Sequence, residues 1–254
     1  MKRNLKKRLM YIILSIVLMF MIGILSKVLF IKSNLLRESN VFQKSVNVMK
    51  SFFIDKKVLD VSLISQLPEL KNGCEVTSVN MALNYKGVDV DKITLASNVM
   101  KDLSPLVINE EGTITNWGNP KKGFVGDITG TKKGYSIDPE PLIPLIEIYY
   151  KGGVKNISGL ELSEIENAIN NSNPVVVWIN ADFIEDIEWI NWNDSEGKCI
   201  KANLNMHCVL VTGYDEENIY YNDPLREEKD KGVSRVVFTN VWNAMGRKAL
   251  EIGR

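Results

Sequence analysis

The first 32 residues constrain this chain more than any other stretch. "MKRNLKKR" carries five positive charges and runs straight into "LMYIILSIVLMFMIGILS", eighteen residues without a charge. Lys27 interrupts, and "VLFI" follows. About 20 apolar residues span a bilayer, and basic flanks stay on the cytoplasmic side. A secretory signal starts in the same way but has a shorter apolar core and a small-x-small cleavage site. "SKVLFIKSN" offers no Ala-x-Ala. The pattern favours an uncleaved anchor over 1–32, single-pass, with the body extracytoplasmic. A cleaved signal would leave the same body secreted.

The charge balance agrees. Beyond residue 32 the chain holds 24 basic and 31 acidic residues, a net of −7. A mildly acidic body is a poor match for nucleic acid, which wants a basic face. Apolar residues make up 45% of the chain, enough to bury a core. The three cysteines, Cys74, Cys199 and Cys208, are too few and too odd in number for a disulfide framework. Cys199 and Cys208 could pair in an oxidising compartment, leaving Cys74 free.

Residues 33–57 are polar and basic with a partial helical rhythm and read as a stalk or linker. The body is expected over 58–254. "VLDVSLISQL" alternates like a strand, and a helix is expected from Cys74 to a stop at Gly87. Asp91 can cap a second helix, "KITLASNVM". Residues 101–138 read as long loops. "DPEPLIPLIEIYYKGG" reads as a third helix with proline at its start and glycine past its end. "LSEIENAINNSNP" reads as a fourth, with Ser163 and Glu166 as a capping box. Then the period changes. "PVVVWIN", "HCVLVTGYD", "NIYYND" and "SRVVF" are short β-branched or aromatic runs bounded by turn residues. The second and third form a hairpin across "GYDEEN". "TNVWNAMGRKAL" reads as a closing helix capped by Thr239. Helices first and strands later is the α+β pattern.

Two residue types stand out against this background. Cys74 opens a helix directly after Asn72-Gly73, and His207 is the single histidine of the chain. A thiolate is the reactive form of cysteine, and a helix N-terminus or a neighbouring imidazolium favours it. Gly73 would let a substrate backbone approach. A base must then lie in reach, oriented by a third group. His207 follows Cys74 by 133 residues and opens a strand. In papain-type proteases the histidine and its orienting partner lie 130–150 residues past the cysteine. The next strand returns antiparallel and ends at Asn222-Asp223-Pro224. Asp223 can accept the His207 Nδ1–H bond and hold the tautomer; Asn222 is its rival, since successive strand residues face opposite ways. The Cys74 backbone N–H and the Gln66 side-chain amide can hold an oxyanion. A lone cysteine is more often a small core hydrophobe, and Cys208 is read that way. One histidine and scattered cysteines give no metal-ligand spacing, so neither metal nor cofactor is expected.

The motifs occur in one order: "QLPELKNGCEVTSVNMALNYKGVDVDKITLA", "WGNPKKGFVGD", "PVVVWIN", "HCVLVTGYD" and "YYNDPL". The series resembles the stand-alone, exported branch of the double-glycine-leader (bacteriocin-processing) cysteine peptidases, within the papain-like superfamily, over about residues 60–252. The resemblance implies a papain-like α+β fold after one transmembrane helix. It implies Cys74 as nucleophile, His207 as base, Asp223 as orienting acid and Gln66 as oxyanion donor. Gln66 stands eight residues before the cysteine, against about six in related enzymes. No Gly-x-x-x-x-Gly-Lys-[Ser/Thr] phosphate loop accompanies the motifs, so transporter-type leader processing is not implied. The expected function is hydrolysis of amide bonds in a peptide or protein substrate. The alternatives are an amidase or acyl transferase with the same residues, and a catalytically silent binding module at the cell surface.

Overall fold

A computed structural model describes residues 56–253. The expected anchor over 1–32 and nearly all of the expected stalk lie outside the described residues. Among the described residues no helix is long and apolar enough to cross a membrane.

The architecture is α+β. The main sheet is built from β1 (Lys56–Val58), β6 (Val154–Asn156), β7 (Val175–Asn180), β10 (Met206–Asp215), β11 (Asn218–Asp223), β12 (Glu228–Ser234) and β13 (Ala249–Ile252). Its order is β12-β11-β10-β7-β13-β6, with β1 also pairing with β10, and every pairing is antiparallel. The run Val175-Val176-Val177-Trp178-Ile179-Asn180 is buried at every position, so both faces of the sheet are covered there. The sheet begins at Lys56, two residues ahead of the boundary read from the sequence.

A second, smaller sheet orders β3 (Val107–Ile108), β4 (Ile114–Asn116), β8 (Ile190–Asn193) and β9 (Cys199–Ala202). Its own core gathers Trp117, Tyr135 and Trp192, with the Tyr135 and Trp192 rings edge to face at 5.2 Å. The segment read as loops over 101–138 is therefore tied down by short strands, including β2 (Lys101–Asp102) beside β5 (Phe124–Val125).

Four expected helices form: α1 (Cys74–Tyr85), α2 (Lys92–Asn98), α3 (Pro139–Tyr149) and α4 (Leu162–Asn170). The chain leaves α1 through Gly87 at φ +81, where glycine carries no Cβ penalty. Asp91 caps α2 by accepting from Thr94 N at 2.8 Å. Four expectations fail. "VLDVSLISQL" is strand only at its first residue; the chain then runs outside any strand to a turn that starts at Leu67. Ser163 lies inside α4 rather than capping it, and Glu166 pairs with Arg235 instead. "SRVVF" is not a strand. α5 (Arg235–Ala244) starts there, burying Phe238, Val241 and Trp242 at helical spacing and leaving Val236 67% exposed. Thr239 sits within α5, its hydroxyl donating to Arg235 O.

Candidate active site

Cys74 owes its position to a tight turn. Leu70 N donates to Gln66 O and Gly73 N to Leu70 O, each at 2.9 Å, and α1 begins at the next residue. A Cβ on Gly73 would fall 2.6 Å from the Leu70 Cβ. The turn itself thus requires glycine at this position. α1 then lies against β10, where Ser78 Oγ donates to Cys208 O at 3.3 Å. Its first turn is set beside the stretch His207-Cys208, and Cys74 is 6% exposed.

His207 and Asp223 meet through a register shift. Val211 pairs with Tyr221 but Gly213 with Tyr220, so Thr212 is an extra residue on β10. Directly opposed residues share a face, and successive residues alternate. Leu210 opposes Asn222. Val209 and His207 therefore share the face of Asp223. Without the bulge, Leu210 would oppose Asp223, and Asn222 would share the face of His207. His207 Nε2 and Asp223 Oδ1 lie 2.8 Å apart, and both side chains are buried. The bond uses Nε2, not the Nδ1 read from the sequence. That leaves Nδ1 outside the bond to Asp223.

The remaining sequence candidates separate cleanly. Asn222 Nδ2 donates to Val61 O at 3.0 Å, and its Oδ1 accepts from Asp230 N at 2.8 Å. Its side chain bridges to the Val61 and Asp230 backbone, and it is Asp223, not Asn222, that meets His207. Gln66 is 1% exposed and anchored beside the acid, with its backbone N donating to Pro224 O at 2.8 Å. One Nε2 hydrogen goes to Lys71 O at 2.9 Å, so the amide keeps a second to offer. The turn through Leu70 lies between Gln66 and Cys74. Cys208 is fully buried, as expected of a core residue. All three cysteines are free thiols, with Cys199 exposed, so the Cys199–Cys208 bridge is not formed.

The model of the peptidase C39-like family matches residues 58–250. The chain belongs to the peptidase C39-like family. An uncharacterized protein of Bacillus subtilis (strain 168), YvpB, is 35% identical over 210 residues, 82% of this chain and 80% of that one. A crystal structure of a candidate C39-like peptidase from Bacillus anthracis superposes with a TM-score of 0.69 at 37% identity, covering 79% of this chain and 99% of that one.

Electrostatics set the two ends of this C39-like site apart. Burial pulls the Asp223 carboxyl up, but the bond and charge of His207 and the backbone amides of Leu225 and Arg226 outweigh it and hold it below the usual range. Arg226 Nη1 lies 3.6 Å from Asp223 Oδ2. The Cys74 thiol goes the opposite way from the sequence expectation. Burial and the charge of Glu75 push it well above the ordinary value, against a lowering by the Cys208 amide. Its Sγ lies 3.4 Å from Glu75 Oε2. Sequence reasoning missed Glu75. The available signal was an acid directly after the cysteine in the first turn of a helix, where it reads as dipole complement and nothing more.

A cavity of about 410 Å³ opens beside the start of β10, lined among others by Asn180, Asp186, Glu188, Asn203, Leu204 and Asn205. Asn205 precedes His207 by two residues in the chain.

Proposed function

We propose that this chain is a thiol peptidase acting through Cys74, His207 and Asp223, held outside the cell membrane by residues 1–32. The observation that carries the reading is the buried His207–Asp223 pair at 2.8 Å, set by the Thr212 bulge against the helix that starts at Cys74.

The proposed roles are these. Asp223, ionised, fixes the ring through Nε2 and stabilises its cation. Nδ1 takes the proton of the Cys74 thiol, and the sulfur attacks a peptide carbonyl. The Cys74 backbone N–H and the second Nε2 hydrogen of Gln66 receive the oxyanion. His207 returns the proton to the leaving amine, and an acyl group stays on sulfur. Water then attacks the thioester, deprotonated by the same nitrogen, and releases a carboxylic acid.

One observation favours the silent binding module: burial and the charge of Glu75 push the Cys74 thiol up, and its Sγ lies 3.4 Å from Glu75 Oε2. Incubating the full-length chain with a proteome-derived peptide library separates the two. New peptide termini produced by the wild type and absent with Cys74→Ala support the peptidase. Identical fragment lists from both proteins leave a binding module.

A further inference from the structure

Glu75 is completely buried and directly follows the nucleophile, yet the peptidase mechanism gives it nothing to do. Its Oε1 accepts from Ser136 Oγ at 2.7 Å and from Ile137 N at 3.2 Å. Its Oε2 faces Cys74 Sγ at 3.4 Å. Among the described residues no lysine or arginine forms an ion pair with it. A buried carboxyl without a cation is costly, and nothing in the fold beyond one loop contact requires an acid there.

We propose that Glu75 is a positioning residue that holds Cys74 as a resting thiol, its S–H donated to Oε2, so that no thiolate–imidazolium pair exists before substrate arrives. The inference rests on the peptidase reading for its purpose but not for its chemistry. Activation rotates the sulfur away from Oε2 toward His207 Nδ1, where the S–H bond breaks and an N–H bond forms. The other titratable groups around the pair are Cys208 and His207 on β10, Asp223 on β11, and Tyr135 just ahead of Ser136. Burial pushes both the Cys208 thiol and the Tyr135 hydroxyl up, so neither carries charge near neutrality.

The donor pattern makes a directional test. Two N–H and O–H donors point at the Oε1 position, so a glutamine must place its carbonyl oxygen there. Its NH2 then faces the sulfur, replacing an acceptor by a donor. The experiment is the pH profile of iodoacetamide alkylation at Cys74 in the full-length chain, resolved from Cys199 and Cys208 by peptide mapping. The expected result is that Glu75→Gln alkylates at pH 6 about tenfold or more faster than wild type, with its midpoint moved down. Ser136→Ala, a milder change, makes Glu75 easier to protonate and should shift the profile in the same direction by less. Unchanged midpoints in both variants overturn the inference, even if either variant melts earlier, since a purely structural acid would change stability and not thiol titration. The two proposals fail separately. If peptide turnover depends on Cys74 and His207 but the Glu75→Gln profile is unmoved, the resting-thiol role falls and the peptidase stands. If the profile moves and no peptide is cleaved, the reverse holds.

Discussion

His207 and Asp223 face each other at 2.8 Å because one residue, Thr212, is extra on the strand between them and the hairpin turn. The bulge is held from the other side. The β1 backbone crosses at Gly213, where a Cβ would fall 2.4 Å from Lys57 O and 2.7 Å from Val58 Cα. Gly213→Ala should therefore displace β1 or the bulge, costing about 1–3 kcal/mol of stability and lowering turnover with it. Denaturant unfolding and peptide cleavage on the same preparation check both effects.

Asp223→Asn keeps an oxygen for the Leu225 and Arg226 amides and removes the charge that steadies a His207 cation. Turnover should fall by about 10²–10⁴, and the melting temperature at neutral pH should fall with it, since the ionised carboxylate stabilises the fold there. Steady-state cleavage rates alongside thermal melts give the comparison.

Asn222→Ala should behave in the opposite sense. It strands the buried Val61 carbonyl and the Asp230 amide, a loss of about 1–3 kcal/mol each way the partner is left unpaired. The expected outcome is a destabilised protein whose residual folded fraction still cleaves. A turnover loss as deep as that of Asp223→Asn, at unchanged stability, would return Asn222 to the active site.

On the proposed reading, Gln66→Ala removes the side-chain donor that joins the Cys74 amide in holding the oxyanion. Turnover should drop about 10²–10³ with KM nearly unchanged, because the interaction forms only as the oxyanion develops. A rise in KM alone would mark Gln66 as a substrate contact instead.

The stability of the fold should depend on pH in two opposed ways. Asp223 sits below its unfolded value, so its contribution is present above about pH 4 and is lost as pH falls through the lower folded value. Glu75 sits above its unfolded value, so its contribution is full below about pH 4 and declines as pH rises toward the folded value. Melting curves across that acid range should flatten at the low end in Asp223→Asn and at the high end in Glu75→Gln.

Much of this was legible in the sequence because the signals were local. Asp91 as a cap, Gly87 as a stop and the alternation of "HCVLVTGYD" each act within a few residues. The segment 234–244 misled because Val236, Val237 and Phe238 are β-branched or aromatic in a row. Their helical spacing with Val241 and Trp242 shows only when the next turn is read along with them. β13 was missed because "KALEIG" is too short to separate from a helix end. The choice between Asp223 and Asn222 turned on a bulge at Thr212, which pairs residues across strands and has no one-strand signature. Glu75 was visible but mute. Only burial and its two loop donors, 61 and 62 residues away, distinguish it from an ordinary first-turn acid.

The most direct test is to look for the acyl-enzyme. A peptide cleaved by the full-length wild type is mixed with excess enzyme, quenched in acid within the first turnover, and digested for mass mapping. The account predicts the mass of the N-terminal substrate fragment, less water, on the peptide that contains Cys74, and none on those with Cys199 or Cys208. Cleavage that proceeds with no adduct at Cys74 and survives Cys74→Ala would contradict it.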